Sequence, residues 1–158
     1  MKRIGDNLIC TGANEEIVQA LVANNVEFAV VGGLAVAWYC PEREADDMDI
    51  LINPTPENSE RVFHALSGLN IMGINPDSLS KEGVQIQLKH YHYADIITPP
   101  KGGPTFDEII SDSIEGNLFN KPIRIPSIAK LIVLKEHTIA TAQCSKHLKD
   151  IELLRHAV

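Results

Sequence analysis

The sequence predicts an α/β (α+β) domain in which one mixed β-sheet is flanked by α-helices. Two short apolar runs read as buried strands: EFAVVGG (27–33), which ends in glycines, and DMDILIN (47–53), which is entered through aspartates. Amphipathic segments precede, separate and follow them, so helices and strands alternate before a helical C-terminal part. The 158 residues, 44% apolar and 22% charged, suit a single domain with its own core. That domain is read as spanning 1–158, with a core at 13–126 and C-terminal helices at 127–157.

In ANEEIVQALVANN (13–25), Ile17, Leu21 and Val22 fall with Ala20 at helical spacing, and Glu15 and Glu16 occupy the first turn, where the helix dipole favours acids. After the first strand, GLAVAWYC (33–40) reads as a short helix from its alanines and its position. The second strand stops at Pro54. Thr55 then offers a capping hydroxyl and Pro56 fits the first helical position, so TPENSERVFHALSGL (55–69) opens as a helix. A loop is expected over 70–83. VQIQLK (84–89) alternates cleanly and HYHYADIIT (90–98) follows as another strand, ending in the turn cluster PPKGGP (99–104). FDEIISDSI (106–114) looks helical and KPIRIP (121–126) alternates as an edge-like strand. SIAKLIVLKEHTIATA (127–142) is a helix capped by Ser127, and KHLKDIELLRHA (146–157) is the last helix.

A formal net charge of −7 argues against broad, nonspecific grip on nucleic acid, which needs a basic surface, although it leaves a local basic pocket open. No apolar run approaches the roughly 20 residues of a membrane span, so no membrane association is expected. MKRIGDNLIC has no apolar h-region, and no secretory signal is expected. Cys10, Cys40 and Cys144 are odd in number, scattered and without zinc-ligand spacing. They suggest reduced thiols and a cytoplasmic location.

The chemistry concentrates in the aspartates. On a strand Asp47 and Asp49 point to one face, Asp46 and Met48 to the other. Two carboxylates roughly 7 Å apart repel each other unless a cation lies between them. Mg²⁺ accepts such an oxygen-rich site and completes its shell with water and substrate phosphates. Upstream, Gly32 and Gly33 let backbone approach a phosphate closely, and a helix starting there aims free N–H groups at it. Asp95 interrupts an apolar strand on the face of Tyr91 and Tyr93; beside MDILI it would be a third carboxylate, and three can hold two metal ions for an in-line phosphoryl displacement. Other residues read more simply. Asp46 is a loop or capping residue, His90 and His92 line an exposed strand face, and Trp38 and Tyr39 are packing. Cys40 has no base near it in sequence.

With these residues in place, V-V-G-G-L-A-V, a spacer, and D-M-D-I-L-I resemble the signature of the nucleotidyltransferase superfamily, the polymerase-β-like fold. The pattern is similar to that of its small AbiEii-like (MNT-type) branch, with Arg43 at the motif arginine and Ala45 where a threonine is usual. I-P-S-I-A-K-L-I-V-L-K and K-H-L-K-D-I-E-L-L resemble the closing motifs of that branch, so the resemblance covers roughly residues 13 to 156.

The resemblance implies a Mg²⁺-dependent transfer of a nucleoside monophosphate from an NTP to a hydroxyl on a protein, RNA or small molecule. It implies that Asp47 and Asp49 ligate Mg²⁺ and that Asp95 joins them and activates the acceptor hydroxyl. Gly32 and Gly33 would face phosphate, Arg43 could equally pair with a neighbouring glutamate or reach a phosphate, and Lys135 would be a triphosphate contact. Lys146 and Asp150 match the last motif without an assigned role. A different class of function stays open: an antitoxin-like module with the same fold that holds a helical toxin partner. A third is a phosphohydrolase using the same carboxylates with water as acceptor. Open sheet edges also allow an oligomer.

Overall fold

The computed structural model describes residues 12–40, 48–88, 94–142 and 145–157. Helix α1 (Gly12–Ala23) leads into β1 (Phe28–Val31), α2 (Gly32–Tyr39), β2 (Met48–Ile52) and α3 (Pro56–Ser67). β3 (Gln85–Gln87) and β4 (Ala94–Ile97) follow, then α4 (Phe106–Ile110), β5 (Ile114–Leu118) and β6 (Lys121–Ile125). Two helices close the chain, α5 (Ile128–Ala142) and α6 (Ser145–His156).

Four strands make a mixed sheet in the order β1-β2-β4-β3. β2 runs antiparallel to β1 and parallel to β4, and β3 runs antiparallel to β4 along the edge. The two central strands are apolar on both faces apart from their aspartates: Met48, Ile50, Leu51, Ile52, Ala94 and Ile96 are all 1% exposed or less. That is the composition of strands covered on both sides, and helices cover them. α2 packs on β1 and β2 and is itself flanked by α5 and α6, while α1 packs on α3. Among the described residues no helix is long and apolar enough to cross a membrane.

Local chemistry sets the helix boundaries. Thr55 Oγ1 accepts from the Asn58 amide at 3.2 Å, with Pro56 in the first turn. Ser127 Oγ accepts from the Lys130 amide at 3.2 Å at the start of α5. In α1, Ile17, Val18 and Leu21 are fully buried, whereas Ala20 and Val22 are only half-buried. Val18 thus completes the buried stripe in place of Val22. At the end of α2, the Tyr39 hydroxyl donates to the Pro126 carbonyl at 2.8 Å, joining α2 to the lead-in of α5. Burial, and then the charge of Asp112, push the Tyr39 phenol pKa up, so the donor keeps its proton.

The sheet is not the only one. β5 and β6 form a separate two-stranded hairpin that packs beside β1. The helix expected over 106–114 ends at Ile110, and Ile114 already belongs to β5. A capping box starts that short helix: Thr105 Oγ1 accepts from the Glu108 amide and Glu108 Oε1 from the Thr105 amide, each at 3.2 Å. The hairpin turns on Phe119 and Asn120, with φ of 53° and 64°. Positive φ at both central residues is the two-residue turn whose twist suits a hairpin.

Candidate active site

Residues directly opposite one another in a sheet share a face. Across one face of the mixed sheet runs the row Val31, Asp49, Asp95 and Gln87, one residue from each of the four strands. Asp49 and Asp95 are therefore in register on neighbouring parallel strands, whose spacing is about 4.8 Å. Asp49 is half-buried and Asp95 is 1% exposed. Their neighbours Met48, Ile50, Ala94 and Ile96 are fully buried on the opposite face, so the backbone under both carboxylates is held rigidly.

The end of β1 meets this row. Val31 pairs with Asp49, and the next residue, Gly32, has φ +67° and begins α2. A Cβ at position 32 would lie 2.0 Å from Asp49 Oδ2 and 2.8 Å from its Cγ. Only glycine meets both demands, the left-handed backbone and the contact with the carboxylate. Val31, the residue before α2, supplies no side-chain cap. The N-terminus of α2 thus sets its positive dipole end and first-turn amides beside a carboxylate and the space in front of it. Gly33 lies within the helix and is not among the positive-φ residues, so Gly32 alone makes the turn. From the other side of the row, Gln85 Nε2 donates to Asp95 Oδ2 at 3.0 Å.

No protein-family model matches this sequence, and no curated protein sequence matches it. Solved structures do. The chain superposes on the crystal structure of ANT(2'')-Ia in complex with adenylyl-2''-tobramycin with a TM-score of 0.57 at 15% identity, covering 90% of this chain and 85% of that one. The solution structure of the antibiotic-resistance factor ANT(2'')-Ia gives a TM-score of 0.59 at 14% identity, covering 92% and 82%. An antigenic nucleotidyltransferase-like protein from Paracoccidioides brasiliensis gives 0.52 at 15%, covering 90% and 76%. The chain has the nucleotidyltransferase fold.

Within this nucleotidyltransferase fold, Gly32, Asp49 and Asp95 come together, while Asp47 and Arg43 lie outside the described residues, as do Asp46, Tyr91, Tyr93, His90 and His92. Among the described residues no group of three or more His, Cys, Asp or Glu side chains could hold a metal ion. The described carboxylates are thus a pair, and Mg²⁺ is commonly bound by one or two carboxylates plus substrate phosphates. A cation between two aligned carboxylates offsets their mutual repulsion. Asp49 and Asp95 supply oxygen donors of the kind a hard divalent ion takes.

Lys135 lies on α5, and its Nζ is 3.0 Å from Asp150 Oδ2 on α6. Both are buried, at 6% and 1% exposure, which makes this an ion pair between the two helices that pack on α2. Cys40, at the end of α2, donates from Sγ to the Leu153 carbonyl of α6 at 3.4 Å. The thiol is buried and packs the helix in place.

A groove of about 570 Å³ opens elsewhere, lined by Val22, Val26, Phe28, Phe106, Ile123 and Arg124 among others. It lies at the opposite end of β1 from Gly32 and includes no residue of the row. Its lining carries Glu27, Asp107 and Glu115 but neither Asp49 nor Asp95. Gln85 is the site residue that reading the sequence misses. The alternation in VQIQLK puts Gln85 and Gln87 on one face, but only the pairing of β3 with β4 shows that Asp95 shares it.

Proposed function

We propose that this chain is a Mg²⁺-dependent nucleotidyltransferase that moves a nucleoside monophosphate from an NTP to an acceptor hydroxyl and releases pyrophosphate. The observation that carries the reading is the register of Asp49 with Asp95, at the point where Gly32 opens α2. A divalent cation between two aligned carboxylates offsets their repulsion and takes oxygen ligands from both. A helix N-terminus next to that cation adds amides for the phosphates that accompany it. The order and spacing of the sequence motifs further support the small AbiEii-like branch.

Asp47, Asp49 and Asp95 would hold the metal, which when bound offsets the triphosphate charge and orients its oxygens. Asp95 takes the proton of the acceptor hydroxyl, whose oxygen attacks the α-phosphorus. The bond from that phosphorus to the bridging oxygen breaks in line, and pyrophosphate leaves with the electron pair. The amides at Gly32 and Gly33 donate to phosphate oxygens. Arg43 and Lys135 are the proposed nucleotide-side cations. Lys135 is held by the Asp150 carboxylate at 3.0 Å, which fixes where its ammonium lies. A small-molecule hydroxyl is the acceptor class to test first, because one structural neighbour was crystallised with adenylyl-2''-tobramycin.

The test is calorimetric binding of ATP, GTP, CTP and UTP with Mg²⁺, for wild type, Asp49→Asn and Asp95→Asn, followed by label transfer from α-³²P-NTP to a panel of acceptors. Metal-dependent binding by wild type, lost in both variants, is expected. Equal binding by all three proteins would overturn the assignment.

A further inference from the structure

We infer that Gln85 is a positioning residue for Asp95, its side-chain amide fixing the plane of the carboxylate aligned with Asp49. This inference rests on the function proposed above. Gln85 sits on the edge strand β3, opposite Ile97, and shares the face of Asp95 because Gln87 stands opposite Asp95. Its Nε2 reaches diagonally to Asp95 Oδ2 at 3.0 Å. Asp49 thus stands on the β2 side of Asp95, and Gln85 approaches from the β3 side.

The chemistry of the donor is informative. Gln85 is exposed, whereas Asp95 is 1% exposed, so a mobile surface side chain is held onto a buried anion. Holding it costs rotamer freedom that an edge glutamine otherwise keeps. The aspartate carboxyl turns about a broad terminal torsion, and a hydrogen bond to one oxygen restricts that rotation. Lysine or arginine here would bond the carboxylate as well, but would also neutralise it and compete with a cation. An amide orients the anion and leaves its charge available. Hydrogen-bonding partners of this kind set the geometry of carboxylate ligands, and their loss typically lowers metal affinity or activity by about 10- to 100-fold.

The test is Mn²⁺ affinity, read by electron paramagnetic resonance as loss of the free-ion signal, for wild type, Gln85→Met, Asp95→Asn and the double variant. Gln85→Asn, whose amide is one methylene too short, is a second way to remove the bond. Thermal melts establish that each variant is folded. Gln85→Met and Gln85→Asn are expected to weaken Mn²⁺ binding by about tenfold or more. The double variant is expected to bind no worse than Asp95→Asn. Wild-type affinity in Gln85→Met with weakened binding in Asp95→Asn would overturn this inference and leave the proposed function standing. So would equal losses from Gln85→Met in the wild-type and Asp95→Asn backgrounds. Wild-type affinity in Asp95→Asn would overturn the proposed function, and this inference with it.

Discussion

Gly32 and Asp49 touch so closely that no side chain fits between them: a Cβ on residue 32 would come within 2.0 Å of Asp49 Oδ2 and 2.9 Å of its Cβ. The backbone there is also left-handed, with φ +67°. Gly32→Ala therefore incurs two separate costs. The left-handed conformation is worth about 1–2 kcal/mol to a residue with a Cβ, and the carboxylate must also move. We expect Gly32→Ala to lose about 2–3 kcal/mol in urea denaturation, with most of the excess over the backbone cost removed in an Asp49→Gly background. Strict additivity of the two substitutions would show that the contact is not what excludes a side chain.

The Lys135–Asp150 pair joins α5 to α6 at two buried positions. Removing one member of a buried pair costs about 3–5 kcal/mol. Replacing both with apolar residues of similar size removes both charges of the pair. Lys135→Met and Asp150→Leu are each expected to lower the unfolding midpoint strongly, and the double variant to recover most of the loss. A double variant as unstable as the worse single one would mean that the pair adds net stability beyond satisfying its own members.

Much of this architecture is legible in local sequence, because its signals are local. The Thr55–Pro56 start, the Ser127 cap and the apolar run of β2 each need only a few consecutive residues. The hairpin is harder to read. FDEIISDSI carries helical spacing past the point where Ser111 ends the helix, and β5 reads IEGNL, with Glu115, Gly116 and Asn117 all poor strand formers. Its turn is hidden too, since Phe119 takes a positive φ where Asn-Gly would be the usual signal. At the site, the aspartates and Gly32 stand out one by one. That Asp95 faces Asp49, and that Gln85 reaches Asp95, depends on strand order and register, which bring together residues far apart in sequence.

The capping box of α4 predicts a small pH dependence. Glu108 is fully exposed, and its pKa is lowered first by the Thr105 backbone amide, then by the Thr105 hydroxyl and more weakly by Lys130, against slight desolvation. A depressed folded pKa means that the stabilisation is complete above the unfolded value, near 4.5, and is lost as pH falls through the lower folded value. The stability difference between wild type and Glu108→Ala should therefore be constant above about pH 5.5 and shrink below about pH 4.5. A difference unchanged down to pH 3 would place the effect in helix propensity instead of the carboxylate.

Asn58 offers the sharpest test of what aligns β1 with β2. Its side chain is 1% exposed and spends its hydrogen-bonding groups on three backbone partners. Oδ1 accepts from the Glu27 amide at 2.7 Å, and Nδ2 donates to the carbonyls of Glu27 and Asn53, both at 2.9 Å. Residues 27 and 53 lie just outside the paired ends of β1 and β2, where Phe28 stands opposite Ile52. One amide from α3 thus closes the end of the strand pair opposite to Asp49. Asn58→Leu takes away the acceptor for the Glu27 amide, at about 1–3 kcal/mol, while the Glu27 and Asn53 carbonyls keep their bonds from the Asn53 and Thr55 amides, at 3.2 and 2.9 Å. Asn58→Asp keeps the acceptor for the Glu27 amide but sets a carboxylate against two carbonyls. Both substitutions are expected to cost about 1–3 kcal/mol in urea denaturation. Asn58→Asp should recover stability as the pH falls, because a protonated carboxyl can donate once to a carbonyl and no longer repels it. Asn58→Leu should show no such recovery. If the two variants lose the same stability at every pH, then filling the site matters more than its hydrogen bonds.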